Sequence, residues 1–239
     1  MLEDEPWPGG RVLDALPVFP LPNAVLLPGM VLPLNVFEPR YLDLVDHALD
    51  HGQQVGVPLL RPGWQGEYEG RPPVEPVFGV GKLVSHQRLP DGRRFIRLVG
   101  LGRVKVVTEL PARAKFREVE VEVLPETSPT DTHRIEVLEA QLERIASTLD
   151  SDDMRMVQCV LEIPDPRLRV YAIAAIMPTL GYATHADVLA DGRPMLLEMQ
   201  QRCLDADDAD ERVDRLIECA VTICESLGDS GRFPKSLCN

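Results

Sequence analysis

Residues 16 to 41, LPVFPLPNAVLLPGMVLPLNVFEPRY, are rich in Leu and Val yet contain six prolines. Such a run is apolar enough to be buried, but Pro lacks a backbone N–H and is tolerated at strand starts, edges and bulges rather than inside helices or central ladders. The segment therefore predicts two short strands, LPVFPL and VLPLNV, joined by a connection that Pro28-Gly29 punctuates. Pro39 then suits the first turn of a helix. That helix is expected over about 39–51, with Tyr41, Leu44, Val45, Ala48 and Leu49 on one face at the amphipathic spacing and Gly52 as its stop.

A third short strand, QVGVPLL, precedes RPGWQGEYEGRPPVEP, whose Gly and Pro content predicts a long exposed loop over 61–76. Residues 77–123 read as β. VFGVGKLVSHQRL and RRFIRLVGLGRVKVV flank a Pro-Asp-Gly hairpin turn. Gly79, Gly81, Gly100 and Gly102 predict bulges or bends of a curved barrel. REVEVEV alternates strictly, and Phe116, out of phase with its valines, suggests a bulge near Arg117.

LPETSPTDT is a linker by composition, and the periodicity beyond it is helical. Ile135, Leu138, Leu142, Ile145 and Leu149 recur at spacings of three and four. Further helices are expected near 153–162, 166–177, 184–190, 194–204 and 208–227. In the last, Val213, Leu216, Ile217, Ala220, Ile223, Cys224 and Leu227 form a stripe that offers support for a dimer, and Asp208 with Glu211 suits a capping pair. Strands and helices in separate blocks indicate an α+β chain: a β domain over 14–125, a helical domain over 131–228, and flexible tails at 1–13 and 229–239.

Charge divides the same way. Residues 1–125 carry 14 Lys/Arg against 16 Asp/Glu, whereas 126–239 carry 11 against 22. The acidic half should repel nucleic acid and anionic membranes. All five cysteines lie in the second half, odd in number and without Cys-x-x-Cys spacing, which argues against a disulfide framework or zinc site. With no basic, apolar leader at MLEDEPWPGG and no membrane-length apolar run, a cytoplasmic chain, either a monomer or a weak dimer, is expected.

Few motifs carry chemistry. GVGKLVS lacks the first Gly and the hydroxyl of a phosphate-binding loop, and neither it nor GLGRVK completes a dinucleotide fingerprint. His47 and His51 lie one helical turn apart without an evident third metal ligand. LDADDADERV lacks the Gly of a calcium loop. No serine sits in a Ser-Lys, Ser-His-Asp or Gly-x-Ser-x-Gly context. Catalysis, cofactor and metal are therefore not expected. Between 82 and 117, however, ten Lys/Arg stand against Asp91 and Glu109 alone. Arg93 with Arg97, and Arg103 with Lys105, would share strand faces. This run reads as a solvated sheet face or, alternatively, as a patch for acidic peptide, RNA or the chain's own acidic half; for RNA, stacking aromatics are scarce.

Leu16, Pro17, Phe19, Pro20 and Leu21, then Pro28, Gly29, Pro33, Leu34, Phe37, Glu38, Arg40 and Tyr41, carry a resemblance. With GVGKLVSHQRLPDGRRFIRLVGLGRVKV and the closing LLEMQQRCLDADDADERVDRLIE, they make residues 14–227 similar to the N-terminal, substrate-recognition domain of the Lon protease family, in its stand-alone bacterial form. The resemblance implies a PUA-like bent β pseudo-barrel followed by a helical domain. It also implies a non-catalytic module that recognises unfolded or exposed apolar polypeptide or acts as an adaptor. Neither a Walker motif nor a Ser-Lys centre is present. Trp64 and Tyr68 in the long loop, with Phe37 and Tyr41, are the candidate partner contacts, as aromatic side chains commonly anchor partners.

Overall fold

The computed structural model describes residues 7, 9–67, 70–148, 151–180 and 194–229. The chain forms two compact units, residues 1–126 and 127–239, of mixed α+β class. The first contains strands β1 (Val12–Val18) and β2 (Val31–Val36), helix α1 (Pro39–Asp50) and strand β3 (Gln54–Val57). A 3-10 turn (Trp64–Glu67) and strands β4 (Val77–Arg88), β5 (Arg94–Glu109) and β6 (Arg117–Val123) follow.

The sheet runs β2-β5-β4-β3-β1-β6 and closes because β6 also pairs with β5. The length of β5 permits this. Its residues 94–99 pair with β2, and its residues 104–109 pair with β6. Five strands thus complete a barrel and β2 is appended to it. Pro33, which cannot donate to a ladder, lies on that appended strand.

β1 begins earlier than the sequence implies. Val12 pairs with Glu122, and the Gly10 amide donates to the Val123 carbonyl, so Val12 and Leu13 belong to the barrel rather than to a tail. The strand also stops at Val18. Pro20 and Pro22 have no N–H to give, and the Phe19 and Leu21 amides between them hold the chain to Gly56 and Pro58.

Extra residues bend the ladders between Leu13 and Leu16, at Leu101, at Val84 and at Val107. None falls at Arg117. Phe116 is simply buried ahead of the strand, so its phase carries no information about β6. The strand glycines have a further role beyond bending. A Cβ on Gly79 would lie 1.8 Å from the Leu26 carbonyl oxygen, and one on Gly100 would lie 2.2 Å from that of Leu27. The connection from β1 to β2 is therefore seated against the sheet, and it buries Leu26 and Leu27 completely.

Two apolar clusters result. Leu16, Val18, Phe78, Val80, Val104, Val119, Val121 and Val123 form one. The other joins Tyr41, Leu44, Val45 and Ala48 of α1 to Phe19, Leu26, Val36, Val55, Ile96, Leu98 and Phe116. Burial at this scale, about 1.5–3 kcal/mol per large side chain, is what holds α1 to the barrel.

The second unit contains α2 (Thr132–Ala146), α3 (Ser151–Leu161), α4 (Pro166–Leu180), α5 (Met195–Asp205) and α6 (Ala209–Asp229). The helix anticipated at 184–190 lies outside the described residues. Asp131 caps α2 by accepting from the His133 and Arg134 amides. At the start of α6, Asp208 accepts from the Glu211 amide, and the Glu211 carboxylate accepts from that of Asp207.

α4 does not end before Pro178, as the sequence predicts. It continues to Leu180. Proline leaves the carbonyl four residues back without its helical donor, and here the Gln200 amide donates to the Ala174 carbonyl at 3.0 Å. The α6 stripe is likewise reassigned. Val213, Leu216, Ala220, Ile223 and Cys224 are buried within the chain itself and form core rather than a dimer surface, and the Leu227 side chain lies outside the described ones. Cys203, Cys219 and Cys224 are buried free thiols, and burial pushes Cys219 up to about 11. It behaves as a small hydrophobe. Among the described residues, no helix is long and apolar enough to cross a membrane.

Candidate functional site

A cleft of about 300 Å³ opens on the barrel unit. The first turn of α1 supplies Arg40 and Tyr41, the long loop supplies Gly70 and Arg71, the β5–β6 connection supplies Ala112, Ala114, Lys115 and Phe116, and the start of β6 supplies Arg117. Small residues leave the space, and two aromatic rings and four cations shape it.

The rings are fixed from behind. Tyr41 stacks on Phe19 with centroids 4.1 Å apart, and Phe116 packs at 5.1 Å from the His47 ring. The Arg40 guanidinium lies 4.7 Å from the centre of the Tyr41 ring and 2.9 Å from the Glu38 carboxylate. Arg117 forks onto Glu109 through Nε and Nη2, at 2.9 and 2.8 Å, and gives its Nη1 hydrogen to the Pro72 carbonyl. Arg71 shares Glu109 at 3.1 Å, and the Lys115 ammonium meets Asp43 at 2.8 Å. Glu38, Asp43 and Glu109 are not among the residues that line the cleft.

The four aromatic candidates separate. Tyr41 lines the cleft but is only 4% exposed, which makes it a core residue that shows one side to the site. Phe37 is 63% exposed. Trp64 is half-buried in the 3-10 turn. Tyr68 lies outside the described residues. Neither Phe37 nor Trp64 lines the cleft. Phe116, Arg71, Lys115 and Arg117 do, and sequence reasoning did not single them out as site residues.

A second surface lies on the outer face of β2, β5 and β4. Val31 is paired across from Val99, Pro33 from Arg97 and Asn35 from Phe95, and Arg97 and Phe95 face Ser85 and Gln87 in turn. Leu32, Leu34, Ile96 and Leu98 point inward. Val31 at 58%, Val84 at 47% and Phe95 at 37% exposure therefore share one side, with Phe37 in phase beyond β2. Apolar side chains grouped on a sheet face are commonly contact sites.

The basic run largely turns inward or finds partners. Arg103 is 2% exposed, with its Nε 2.8 Å from Glu126, so it does not share a solvent face with Lys105. Arg94 and Arg88 meet Asp46, Arg93 meets Asp91, Lys115 meets Asp43 and Arg117 meets Glu109. Six of the ten cations are thereby engaged. The Arg94 hydrogen bond holds Asp46 below the usual carboxylate range, with Arg88 and His86 adding to the effect. His47 and His51 stack at 4.2 Å, and no set of three or more His, Cys, Asp or Glu among the described residues is grouped to hold a metal.

A closed, bulged barrel with one helix, joined in sequence to an all-α unit, defines the class: a two-unit α+β domain. The model of the ATP-dependent protease La (LON) substrate-binding domain matches residues 15–221, and the chain belongs to that family. It corresponds to the substrate-binding part of Lon rather than to the ATPase or peptidase part. A Lon protease of Anaeromyxobacter dehalogenans is 24% identical over 85% of this chain and 22% of its own length. A Lon protease of Salinispora arenicola is 35% identical over 51% of this chain and 14% of its own. The chain thus spans under a quarter of these relatives. A crystal structure of a Lon N-terminal domain protein from Xanthomonas campestris has the same fold, with a TM-score of 0.60 and 24% identity over 86% of this chain and 98% of that one. The N-terminal domain of a Mycobacterium avium complex Lon protease aligns with a TM-score of 0.58 at 20% identity, over 87% and 98% of the two chains.

Proposed function

We propose that this chain is a non-catalytic polypeptide-recognition module that binds unfolded or exposed apolar segments, directly or as an adaptor, through the outer face of β2, β5 and β4. The grouping of Val31, Val84 and Phe95 on that face, with Phe37 beyond it, carries the reading. A folded domain gains nothing by leaving these side chains in water, whereas a partner's apolar segment gains about 25 cal/mol for each Å² of apolar surface it covers there. Membership of a substrate-binding family supports the same view. The reading places the module in the cytoplasm, as a monomer or weak dimer.

Titration of a fluorescently labelled, reduced and alkylated polypeptide by anisotropy tests it. Val31→Ser with Phe37→Ser should weaken binding about tenfold, the equivalent of about 1.4 kcal/mol. Trp64→Ala probes the loop separately. Affinity unchanged in the double variant would discard the sheet face. RNA binding is not favoured, since Arg88, Arg93, Arg94 and Arg103 of the basic run are engaged with Asp46, Asp91 and Glu126 and stacking aromatics are scarce; a steep loss of affinity with salt would be its mark.

A further inference from the structure

The cleft beside α1 differs chemically from the apolar sheet face. Among the described residues its lining carries Arg40, Arg71, Lys115 and Arg117, and no carboxylate. The three carboxylates that pair with them, Glu38, Asp43 and Glu109, are not among the lining residues. Four cations on three carboxylates leave a local positive excess in a chain of net charge −13, and a concave surface that favours one sign concentrates ligands of the other. Between the cations stand Tyr41 and Phe116, each held by an aromatic neighbour on its far side. A volume of about 300 Å³ accepts a large side chain but not a folded element.

We propose that this cleft binds an acidic segment of an extended polypeptide, seating an aromatic side chain against Tyr41 and Phe116 with flanking carboxylates on Arg71 and Lys115. The inference rests on the polypeptide-recognition reading and narrows its substrate class. Clients with an aromatic residue between acidic ones would engage both surfaces, and clients that are merely apolar would engage only the sheet face. Arg40 and Arg117, tied to Glu38 and Glu109, set the shape of the pocket. Arg71 and Lys115 are more exposed, at 39% and 69%, and are the groups a ligand meets first. The segment is internal rather than a chain terminus, because cations distributed around the opening suit carboxylates on both sides of the ring.

The test uses the whole chain and a blocked, labelled peptide with one Phe flanked by Glu pairs. Counterparts carry Gln for each Glu, Ala for Phe, or a free C-terminal carboxylate beside the Phe. The Glu-Phe peptide should bind at least tenfold more tightly than the Gln and Ala forms, and Arg71→Gln with Lys115→Gln should remove that advantage. Ala114→Trp, which fills the cleft without touching an ion pair, should do the same. Equal binding of the Gln peptide, preference for the terminal carboxylate, or insensitivity to both variants overturns the inference. So does stronger competition by an oligonucleotide than by the peptide. The alkylated polypeptide is titrated alongside. If it binds while the acidic peptide does not, only the cleft assignment fails; if neither binds, the recognition reading falls too.

Discussion

Gly79→Ala is the sharpest test of how the barrel is assembled. The new methyl carbon would stand 1.8 Å from the Leu26 carbonyl oxygen, whereas ordinary contact begins at 3.4 Å. Either β4 or the 26–28 connection must therefore retreat by about 1.6 Å. The connection carries Leu26 and Leu27, both fully buried. Losing half the burial of two leucines costs about 1.5–3 kcal/mol, at about 1.5–3 kcal/mol each. Overpacking of the remaining atoms adds about 1–3 kcal/mol. The expected destabilisation of the barrel unit is about 2.5–6 kcal/mol. With a urea slope of about 1.5 kcal/mol/M, the midpoint falls by about 1.7–4 M. Both tryptophans, Trp7 and Trp64, lie in this unit, so fluorescence follows it while circular dichroism at 222 nm is dominated by the helices. Gly66→Ala is the control. Nothing lies within 4 Å of its added carbon, and the change should stay within about 0.5 kcal/mol. A Gly79→Ala loss below about 1 kcal/mol would refute the seating of the connection on the sheet.

Two further tests concern the helical unit. Gln200→Ala should cost about 1 kcal/mol by leaving the Ala174 carbonyl without its donor. In a Pro178→Ala background, where the backbone amide returns, the same substitution should cost less than half as much by urea unfolding followed at 222 nm. The Asp210 carboxylate accepts from the Thr130 hydroxyl and from the Thr130 and Asp131 amides, which holds it below the usual 3.8. A depressed carboxylate stabilises above its unfolded pKa, and the contribution disappears as pH falls through the folded value. The unfolding midpoints of wild type and Asp210→Asn should therefore differ at neutral pH and converge below pH 3.8. A gap that persists there would show that the aspartate acts by packing alone.

What the sequence discloses and what it conceals divide along sequence distance. The α1 face, the hairpin at Pro90-Asp91-Gly92 and the cap of α6 depend on neighbours within a turn or two, and they are readable as periodicity and capping pairs. Gly79 and Gly100 are readable as special but not as to why, because the atoms that exclude a side chain belong to residues 26 and 27. Arg94 and Arg103 look like solvent cations in a basic run, since their carboxylates lie 48 and 23 residues away. Pro178 looks like a helix stop because its remedy, Gln200, is 22 residues distant in a different helix. Tyr41 shows the limit for sites. Helical spacing places it in the core and its aromatic character suggests a contact, and only the fold reveals that one ring can serve both.

The same reasoning explains why the basic run is a poor guide to function while the cleft is a better one. Cations that brace strands or helix α1 are neutralised by Asp46, Asp91 and Glu126, and their charge does not project as a continuous field. At the cleft four cations share three carboxylates, and none of those three is among the lining residues, so the pairs leave a positive excess there. Arrangement, rather than the count of Lys and Arg between 82 and 117, decides whether a charged partner is attracted. An arginine drawn to Glu126 is architecture. Lys115 pairs with Asp43 yet stays 69% exposed, so on the proposed reading exchanging it should alter peptide binding where exchanging Arg103 alters stability.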